Sequence, residues 1–356
     1  MNDEVFLERK KTKKVRVGDI FIGGDSQVTV QSMTNTDTRD IKATIDQIKR
    51  LQEAGCDIVR LAIPDREAAI ALGEIKKASS IPVVADIHFD YRLAILSIEN
   101  GADKIRINPG NIGGMDRVKA VVDAAKSRDI PIRIGVNSGS IEKNIREKYG
   151  KVTPEGMVES ALLHSSMLEE FGFENIVFSL KASNVPMAIK AYRLMSEKSN
   201  YPLHIGITEA GTLKRGTIKS CVGLGCLLAE GIGDTIRVSL THDPVEEVIV
   251  GNEVLNALGI GRGGVEFISC PTCGRCGIDL IKIADKVERE LGGIKRNIKV
   301  AVMGCEVNGP GEAKDADVGI AGGKGGAVLF KKGEIIRRIS EDSIVEELLN
   351  EIKGLE

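Results

Sequence analysis

The stretch PVVADIHFDYRLAILSIENGADKIRINPG, residues 82–110, contains the structural unit on which the fold depends. A short apolar run at Val83–Ala85 predicts a buried strand, and the longer amphipathic run Tyr91–Asn100 predicts a helix. A second apolar run at Lys104–Ile107 predicts another strand. Two strands that are joined through a helix lie parallel in one sheet, so the stretch indicates a parallel sheet with helices packed over its faces.

The same strand–helix unit recurs from residue 28 to residue 258. The predicted strands are Val28–Gln31, Ile58–Leu61, Val83–Ala85, Lys104–Ile107, Ile132–Gly135, Ile176–Ser179, Leu203–Ile205 and Thr235–Val238. The predicted helices are Ile41–Ala54, Ala68–Ala78, Tyr91–Asn100, Met115–Lys126, Pro154–Phe171, Val185–Glu197, Thr217–Glu230 and Val245–Leu258. Eight units of this length match a closed barrel better than an open doubly wound sheet. We therefore predict an α/β chain whose residues 1–258 form a (β/α)8 TIM barrel.

A second, smaller domain is predicted after a glycine-rich linker at residues 259–264. Short apolar runs in residues 265–356 predict strands near Val265–Ile268, Lys299–Val302, Val318–Ile320, Ala327–Phe330 and Ile335–Arg338. Helical patterns cover about Gly277–Leu291 and Ser343–Ile352. This composition is typical of an α+β domain, and a bound metal cluster would add stability to so small a core.

Polar and charged residues follow the predicted strands of the barrel. In such barrels the active site is built at the carboxyl ends of the strands, so these side chains should meet at one rim. Five cations from different strands would lie there, and arginine's planar fork suits phosphate oxygens, which indicates a small anionic substrate, a diphosphate. The candidate substrate-binding residues are Arg60, Arg106, Asn108, Arg133, Asn137, Lys181, His204, Thr208, Arg237 and Ser239. Asp86, His88, His204 and Glu209 are candidates for proton transfer, and the sequence does not choose among them.

The run CPTCGRC, Cys270–Cys276, brings three cysteines together at intervals of two residues. Cys305 could supply a further thiolate from a distant loop. A zinc ribbon would normally present a second CxxC pair or histidines, neither of which is found here, so the spacing favours an iron–sulfur cluster over structural zinc or a disulfide.

Composition excludes several other classes of protein. The net charge is −2, aromatic residues make up 3% of the 356 residues and tryptophan is absent, so binding to nucleic acid through bulk charge or base stacking is not expected. No apolar run is long enough to cross a membrane, and the N-terminal MNDEVFLERKKTKK has no apolar signal core. We expect a cytoplasmic protein, because thiols stay reduced there and grouped cysteines more often hold metal.

Eight motifs in order along the chain resemble the 4-hydroxy-3-methylbut-2-enyl diphosphate synthase family of the methylerythritol phosphate route to isoprenoids. They are VQSMTNTDT (30–38), ADIHFD (85–90), KIRINPGNIG (104–113), IRIGVNSGS (132–140), SLKAS (179–183), GITEAG (206–211), SCPTCGR (269–275) and MGCEVNGPGE (303–312). The resemblance runs along essentially the whole chain and is to the short, two-domain bacterial form.

The resemblance implies a two-electron reductive ring opening of 2-C-methyl-D-erythritol 2,4-cyclodiphosphate to (E)-4-hydroxy-3-methylbut-2-enyl diphosphate, with loss of water. Reduced flavodoxin or ferredoxin would be the electron donor. The family pattern implies a [4Fe–4S] cluster held by Cys270, Cys273 and Cys305, with Glu312 as an oxygen ligand and a catalytic residue. Spacing alone ranks Cys276 beside Cys270 and Cys273, and it does not choose between Cys276 and Glu312.

Two further expectations concern the class of enzyme and its assembly. A barrel enzyme of the pterin-binding type with a structural zinc domain is the alternative to the iron–sulfur reductase. The last predicted helix of the barrel runs away from the rim, so the cysteine domain should begin near the opposite face of its own barrel. We therefore expect a head-to-tail homodimer in which each cluster domain serves the barrel of the partner.

Overall fold

The computed structural model describes residues 8–292, 294 and 296–355. The first half of the N-terminal stretch considered above, MNDEVFL, lies outside the described residues. The chain divides into two compact units, the first ending at Gly261 and the second beginning at Arg262. Within the described ranges, no helix has both the length and the apolar character needed to cross a membrane.

The first unit begins with a hairpin and then alternates strands with helices. Its strands are β1 (Val15–Val17), β2 (Ile20–Ile22), β3 (Thr29–Met33), β4 (Ile58–Ala62), β5 (Val83–Asp86), β6 (Lys104–Ile107), β7 (Ile132–Asn137), β8 (Ile176–Lys181), β9 (His204–Ile205) and β10 (Thr235–Ile236). Its α-helices are α1 (Ile41–Glu53), α2 (Arg66–Ala78), α3 (Tyr91–Glu99), α4 (Pro109–Ile112), α5 (Met115–Ser127), α6 (Lys143–Tyr149), α7 (Pro154–Glu169), α8 (Val185–Lys198), α9 (Leu213–Ala229) and α10 (Pro244–Ala257). A 3-10 turn covers Ser138–Ser140.

Strands β3 to β10 form one parallel sheet in the order β8-β7-β6-β5-β4-β3-β10-β9. A parallel bridge between Phe178 in β8 and Leu203, just before β9, connects the two ends of this order. The sheet is therefore a nearly closed barrel surrounded by helices, and the predicted (β/α)8 architecture is confirmed.

Side chains alternate between the two faces of each barrel strand, which separates the helix-packing layer from the interior. The outward residues of β6 and β7, such as Ile105 and Ile134, join the large apolar cluster beneath the helices. At the amino end of the strands the β1–β2 hairpin closes the barrel, and its valines pack against inward residues including Val84 and Val177. The interior above this apolar floor carries the polar side chains described below.

The second unit is a five-stranded sheet with helices on its surface. Its elements are β11 (Val265–Ser269), α11 (Leu280–Leu291), β12 (Ile298–Met303), α12 (Gly309–Glu312), β13 (Val318–Gly323), β14 (Gly326–Lys331), β15 (Glu334–Ser340), a 3-10 turn (Glu341–Ser343) and α13 (Ile344–Lys353). The first three strands are parallel and the last two antiparallel. Val287, Val300 and Leu348 are fully buried in its core. The predicted α+β domain is confirmed.

The structure differs from the sequence prediction at two places near functional residues. Strand β10 ends at Ile236, so Arg237 lies in the loop beyond it, although its backbone N still donates to Ile205 O at 3.0 Å. Helix α11 begins at Leu280 instead of Gly277, because the Asp279 side chain caps the helix by accepting from Lys282 N. Cys276 therefore lies on a loop and not in the first turn of a helix.

Candidate active site

The barrel interior is polar where an interior of this fold is usually filled by branched apolar side chains. Arg60, Asp86, Arg106 and Arg133 are each at least 96% buried, and all lie on inward positions of neighbouring strands. Asp86 pairs in register with Arg106, and Arg106 pairs with Arg133. A Cβ atom on Gly135, the next inward residue of β7, would lie 2.4 Å from Arg106 Nε, so glycine makes the space that this guanidinium occupies.

Asp86 is the carboxylate around which this cluster is organised. Arg106 Nη1 lies 3.2 Å from Asp86 Oδ1, and Arg60 Nε lies 3.7 Å from Oδ2. His88 Nε2 lies 3.5 Å from Oδ2 on the more open side, where the His88 side chain is 56% exposed. Burial alone would raise the pKa of Asp86, but the charge of Arg60, the hydrogen bond from His88 and the charges of Arg106 and Lys181 bring it well below its ordinary value. Asp86 is therefore ionised at neutral pH.

The arginines carry more donors than the described residues can accept. Arg60 donates from Nε and Nη2 to Met33 Sδ at 3.1 and 2.8 Å, while its Nη1 has no described partner. All three guanidinium nitrogens of Arg133 are buried and unpartnered among the described residues. Burial lowers the pKa of Arg60 to about 10, and burial with the charges of Arg60 and Arg106 lowers the pKa of Arg133 well below its ordinary value. Among the described residues, Asp86 is the carboxylate paired with this cluster, so the remaining donors are available to a bound anion.

A cavity of about 530 Å³ opens at the carboxyl ends of β7 to β10. Six of the residues that the sequence indicates line this cavity: Asn137, Lys181, Thr208, Glu209, Arg237 and Ser239. Glu209 adopts a left-handed backbone conformation with φ of 51°, which is strained for a residue with a side chain and is common at functional sites. Burial, followed by the charges of Arg60, Arg106 and Arg133, lowers the pKa of Lys181 well below its ordinary value.

The remaining two substrate candidates lie below or beside the cavity. Asn108 is buried at the end of β6, and its Oδ1 accepts from Gly110 N at 3.2 Å, which caps α4. His204 is buried in β9, and its Nδ1 has no described partner. Burial, together with the charges of Arg133 and Lys104, lowers the pKa of His204 well below its ordinary value. His204 is therefore neutral at physiological pH, and it could accept a proton only against these neighbouring charges.

Glu247 is a residue of the cavity that the sequence analysis missed. It lies in the first turn of α10 and is 4% exposed. Its carboxylate lies 3.3 Å from Arg237 Nη2 and accepts from Ser32 Oγ and Leu240 N, each at 3.0 Å. An acidic residue in the first turn of a helix usually complements the helix dipole on the surface, so its pattern gives no sign that it faces the barrel.

A half-buried pair, the buried His164 with the partly exposed Glu142, supports two loops of the rim. His164 Nε2 in α7 lies 2.7 Å from Glu142 Oε1, at the start of α6. A Cβ on Gly110 would lie 2.6 Å from His164 Nε2, so the loop that carries Asn108 rests directly on this imidazole. Burial would raise the pKa of Glu142, but hydrogen bonds led by the one from His164 lower it to about 2. The His164–Glu142 pair therefore connects the loop after β6 to the loop after β7.

In the second unit the two cysteine loops meet at Gly304. Gly304 N donates to Cys270 Sγ at 3.1 Å, and Gly277 N donates to Gly304 O at 2.9 Å. A Cβ on Gly304 would lie 2.9 Å from Cys276 Sγ and 3.5 Å from Cys270 Sγ, so only glycine leaves room for both sulfurs. Cys305 follows Gly304 directly, which brings it to the same junction.

Arg275 is a common neighbour of three of the predicted ligands, Cys273, Cys305 and Glu312. Hydrogen bonds from the backbone and side chain of Arg275 lower the pKa of the Cys273 thiol, which favours the thiolate that binds metal. The Arg275 guanidinium also interacts with Cys305 and Glu312, so these groups share one neighbourhood. Cys276 differs in its hydrogen bond, because its Sγ donates to Ile278 O at 3.2 Å, whereas both Cys270 and Cys276 pack against the core of the unit.

No three His, Cys, Asp or Glu side chains among the described residues are close enough together to hold a single metal ion. A four-iron cluster requires a wider arrangement, because each ligand binds a different iron. Three cysteines and a carboxylate on two apposed loops, with backbone N–H groups directed at sulfur, are the donors that such a cluster takes. The donor set fits an iron–sulfur cluster better than a tetrahedral zinc ion.

Comparison with known families and curated proteins gives a consistent result over both units. Residues 12–252 match the GcpE TIM-barrel domain, and residues 266–354 match the GcpE protein C-terminal domain. The chain is 67% identical over 349 residues to the 4-hydroxy-3-methylbut-2-en-1-yl diphosphate synthase (flavodoxin) of Ruminiclostridium cellulolyticum, covering 98% of this chain and 99% of that protein. It is 59% identical over 347 residues to the enzyme of the same name from Geobacter sulfurreducens, covering 98% of each.

Among solved structures, a dihydropteroate synthase from Coxiella burnetii in complex with pteroic acid superposes with a TM-score of 0.50. The superposition covers 70% of this chain and 98% of the synthase chain, at 10% sequence identity. At this identity the likeness shows the barrel fold alone.

Proposed function

The chain belongs to the GcpE family, and from this premise we propose how its residues carry out the family's reaction. Its activity is the synthesis of 4-hydroxy-3-methylbut-2-en-1-yl diphosphate by reductive ring opening of the cyclic diphosphate, with flavodoxin as the electron donor stated in the names of its relatives. The family predicted from the sequence motifs is thereby confirmed. The pterin-binding alternative has no support beyond a shared barrel fold.

The barrel rim is the proposed site for 2-C-methyl-D-erythritol 2,4-cyclodiphosphate. The observation that carries this assignment is the set of buried guanidinium donors without partners, above all the three nitrogens of Arg133. Phosphate oxygens accept such donors in pairs, and a bound diphosphate would offset the repulsion among Arg60, Arg106 and Arg133. Lys181 and Arg237, on the wall of the cavity, would hold the same phosphates from the other side. Asn108, Asn137, Thr208, His204 and Ser239 would orient the sugar portion.

Proton transfer is assigned to the groups that can both reach the cavity and exchange a proton. Asp86 remains ionised, so it serves to hold Arg60, Arg106 and His88 in place. Glu209 lines the cavity and is the first candidate to protonate the hydroxyl that departs as water; His88, which is exposed to solvent beside Asp86, is the second. A hydroxyl leaves more readily when it is protonated, and exclusion of bulk water would strengthen each of these interactions.

The [4Fe–4S] cluster is assigned to Cys270, Cys273, Cys305 and Glu312. When bound, such a cluster supplies electrons singly and an iron that acts as a Lewis acid toward a substrate oxygen. In this chain the Gly304 amide orients Cys270, and Arg275 favours the thiolate of Cys273. Cys276 is the spare thiol, since its Sγ is directed at Ile278 O. A reducing compartment, the cytoplasm, would keep these thiols available.

The test of the substrate site is a binding measurement on Arg133→Met, with Arg128→Met as the matched control. Arg128 precedes the same strand but is exposed, so its loss should not matter. Loss of charge-assisted bonds worth about 1.5–3 kcal/mol each should weaken binding of the cyclic diphosphate by tenfold or more in Arg133→Met alone. Equal affinities of the two variants would reject the rim as the substrate site.

The test of the cluster is iron and sulfide analysis after anaerobic purification. We expect about four irons and as much sulfide per chain. Cys305→Ser should lose or degrade the cluster, whereas Cys226→Ser, a cysteine on α9 of the barrel, should retain it. Stoichiometric zinc without sulfide would reject the assignment.

The working site is proposed to be shared between two chains arranged head to tail. The path of the chain within the first unit supports this arrangement. Ile260, near the end of that unit, lines a cavity of about 200 Å³ together with Val28 and Gly233, which lie just before β3 and β10. The chain therefore leaves the barrel at the amino end of the strands, opposite to the rim. A partner chain related by a twofold axis could supply its cluster domain to the rim without a long connection.

The test of the shared site is complementation. Chains carrying Arg237→Ala and chains carrying Cys305→Ser should each be inactive, and mixing them to form heterodimers should restore activity because one of the two shared sites is then intact. Failure to recover activity in proven heterodimers, or full activity of a monomer, would refute this arrangement.

A further inference from the structure

Lys104 is a charged residue inside the barrel to which neither the family motifs nor the rim assignment gives a role. It is the first residue of β6, is fully buried and pairs in register with Val84 on the inward face of β5. Arg106 follows it two positions along the same face, one step closer to the rim. Lys104 therefore lies between the apolar floor of the barrel and the arginine cluster.

The acidic residues near Lys104 are already engaged. Asp103, its neighbour in the chain, lies 2.7 Å from Lys76 Nζ and accepts from Val83 N at 2.7 Å. Asp86, one step above, is shared by Arg60, Arg106 and His88. Lys104 Nζ itself has no hydrogen-bond partner among the described residues. A buried ammonium without a partner is strongly unfavourable, so the uncharged amine is favoured at this position unless an anion binds close to it.

The surroundings of Lys104 disfavour its charged form in the free protein. Burial, followed by the charges of Arg133 and Arg60, lowers the pKa of Lys104 well below its ordinary value. His204 in β9 is also affected by the charges of Arg133 and Lys104, so these three side chains lie in one region of the interior. The hairpin β1–β2 closes the amino end of the barrel, so an anion that approaches this region would come from the rim.

We propose that Lys104 contributes to the substrate diphosphate site from a position deeper in the barrel than Arg106, and that the phosphates bound at the rim favour its charged form. The proposal rests on the assignment of the rim as the substrate site. It deepens that assignment, because it extends the diphosphate site from the rim to a second layer of the barrel. It also implies that the free enzyme is less stable than its packing permits, and that substrate relieves this cost.

The experiment compares Lys104→Met with Lys119→Met and with the wild type. Methionine retains the length of the lysine stem without its charge, and Lys119 is an exposed lysine on α5 that pairs with Asp123. For each protein the melting temperature is measured without ligand, and the affinity for the cyclic diphosphate is measured by calorimetry at two salt concentrations. Without ligand, Lys104→Met should melt at a higher temperature than the wild type, because a buried amine without a described partner is replaced by an apolar side chain. Its affinity for the cyclic diphosphate should fall roughly tenfold, since the weakly screened positive charge that the bound phosphates favour on Lys104 is absent from the variant.

These opposite changes distinguish an electrostatic role from a structural one. A residue needed only for packing would lower the melting temperature when replaced, and Lys104→Gln provides the same comparison with a polar side chain. Unchanged affinity in both Lys104 variants, with a wild type that binds normally, would overturn the proposal and leave the rim assignment intact. A wild type that does not bind the cyclic diphosphate would overturn the rim assignment and the proposal together.

Discussion

Replacement of Glu247 by glutamine should destabilise the barrel and weaken substrate binding at the same time. Glu247 is nearly fully buried and is the carboxylate that faces Arg237, at 3.3 Å from Nη2. It also accepts from Ser32 Oγ and Leu240 N, so it fixes Arg237 between β3 and the loop after β10. Glutamine has the same shape but no charge, and its amide nitrogen cannot accept either bond.

The magnitude follows from the burial of the pair. Removing one member of a buried ion pair costs about 3–5 kcal/mol, and the lower figure applies here because Arg237 retains 19% exposure and glutamine retains one acceptor oxygen. In a domain of this size a loss of about 3 kcal/mol lowers the melting temperature by roughly 6–12 °C. Substrate should then add less stability to the variant than to the wild type, because a ligand that binds more weakly adds less to the free energy of unfolding at the same concentration.

The measurement is a thermal melt of the barrel transition with and without the cyclic diphosphate. The matched control is Glu246→Gln, since Glu246 lies in the same first turn of α10 and makes the same contribution to the helix dipole. Steady-state kinetics should show a raised KM for Glu247→Gln alone. If the two variants melt at the same temperature and have the same KM, the buried pair does not position Arg237.

Three further outcomes follow from the geometry. Asp86→Asn should be less stable than the wild type at neutral pH. Because the pKa of Asp86 is depressed in the folded protein, the difference in free energy of unfolding between the two proteins should shrink as pH falls below about 4. A difference that grows on acidification would contradict this expectation. Cys276→Ser should retain its iron and most turnover, while Glu312→Gln should retain iron but lose most turnover; the reverse pattern in iron analysis would exchange their roles. His164→Phe should raise KM severalfold with a smaller change in kcat, because the loop that bears Asn108 loses its contact with the imidazole. An unchanged KM would show that this loop keeps its conformation without His164.

Much of the barrel could be predicted because its sequence signal is local. Each strand of the barrel is a short apolar run, and the residue types that end it, such as Arg106 or Lys181, are rare inside proteins unless they serve a site. Alternation along a strand fixes the face on which a side chain lies. Alternation does not fix the position of a side chain along the barrel axis, because that position depends on the register between strands. The sequence analysis therefore assigned Arg133 and Arg237 to one rim. The structure separates a buried layer from the wall of the cavity.

Glu247 and Lys104 escaped prediction for different physical reasons. Glu247 lies on a helix, where its neighbours in sequence describe the helix surface and not the strand end that it faces. Lys104 opens a strand at the end away from the rim, where barrel residues usually contribute to stability. In the second domain, the spacing of the cysteines does not separate Cys276 from Cys270 as a candidate ligand, because spacing counts only the residues between them. The direction of the Cys276 sulfur toward Ile278 O depends on a loop conformation that spacing does not contain.

Because the interior of the barrel is polar, the stability of the barrel depends on the burial of apolar residues elsewhere. A barrel of this fold usually gains stability from layers of branched side chains in its centre, and here that centre holds guanidinium and ammonium groups that oppose folding. The compensation comes from the outer layer, where β4 to β8 bury apolar residues against the helices, and from the hairpin that closes the floor. A ligand that binds the folded barrel alone adds stability in proportion to the logarithm of its concentration. On the proposed assignment of the substrate site, relief of the repulsion among the interior cations would contribute to the affinity for the diphosphate.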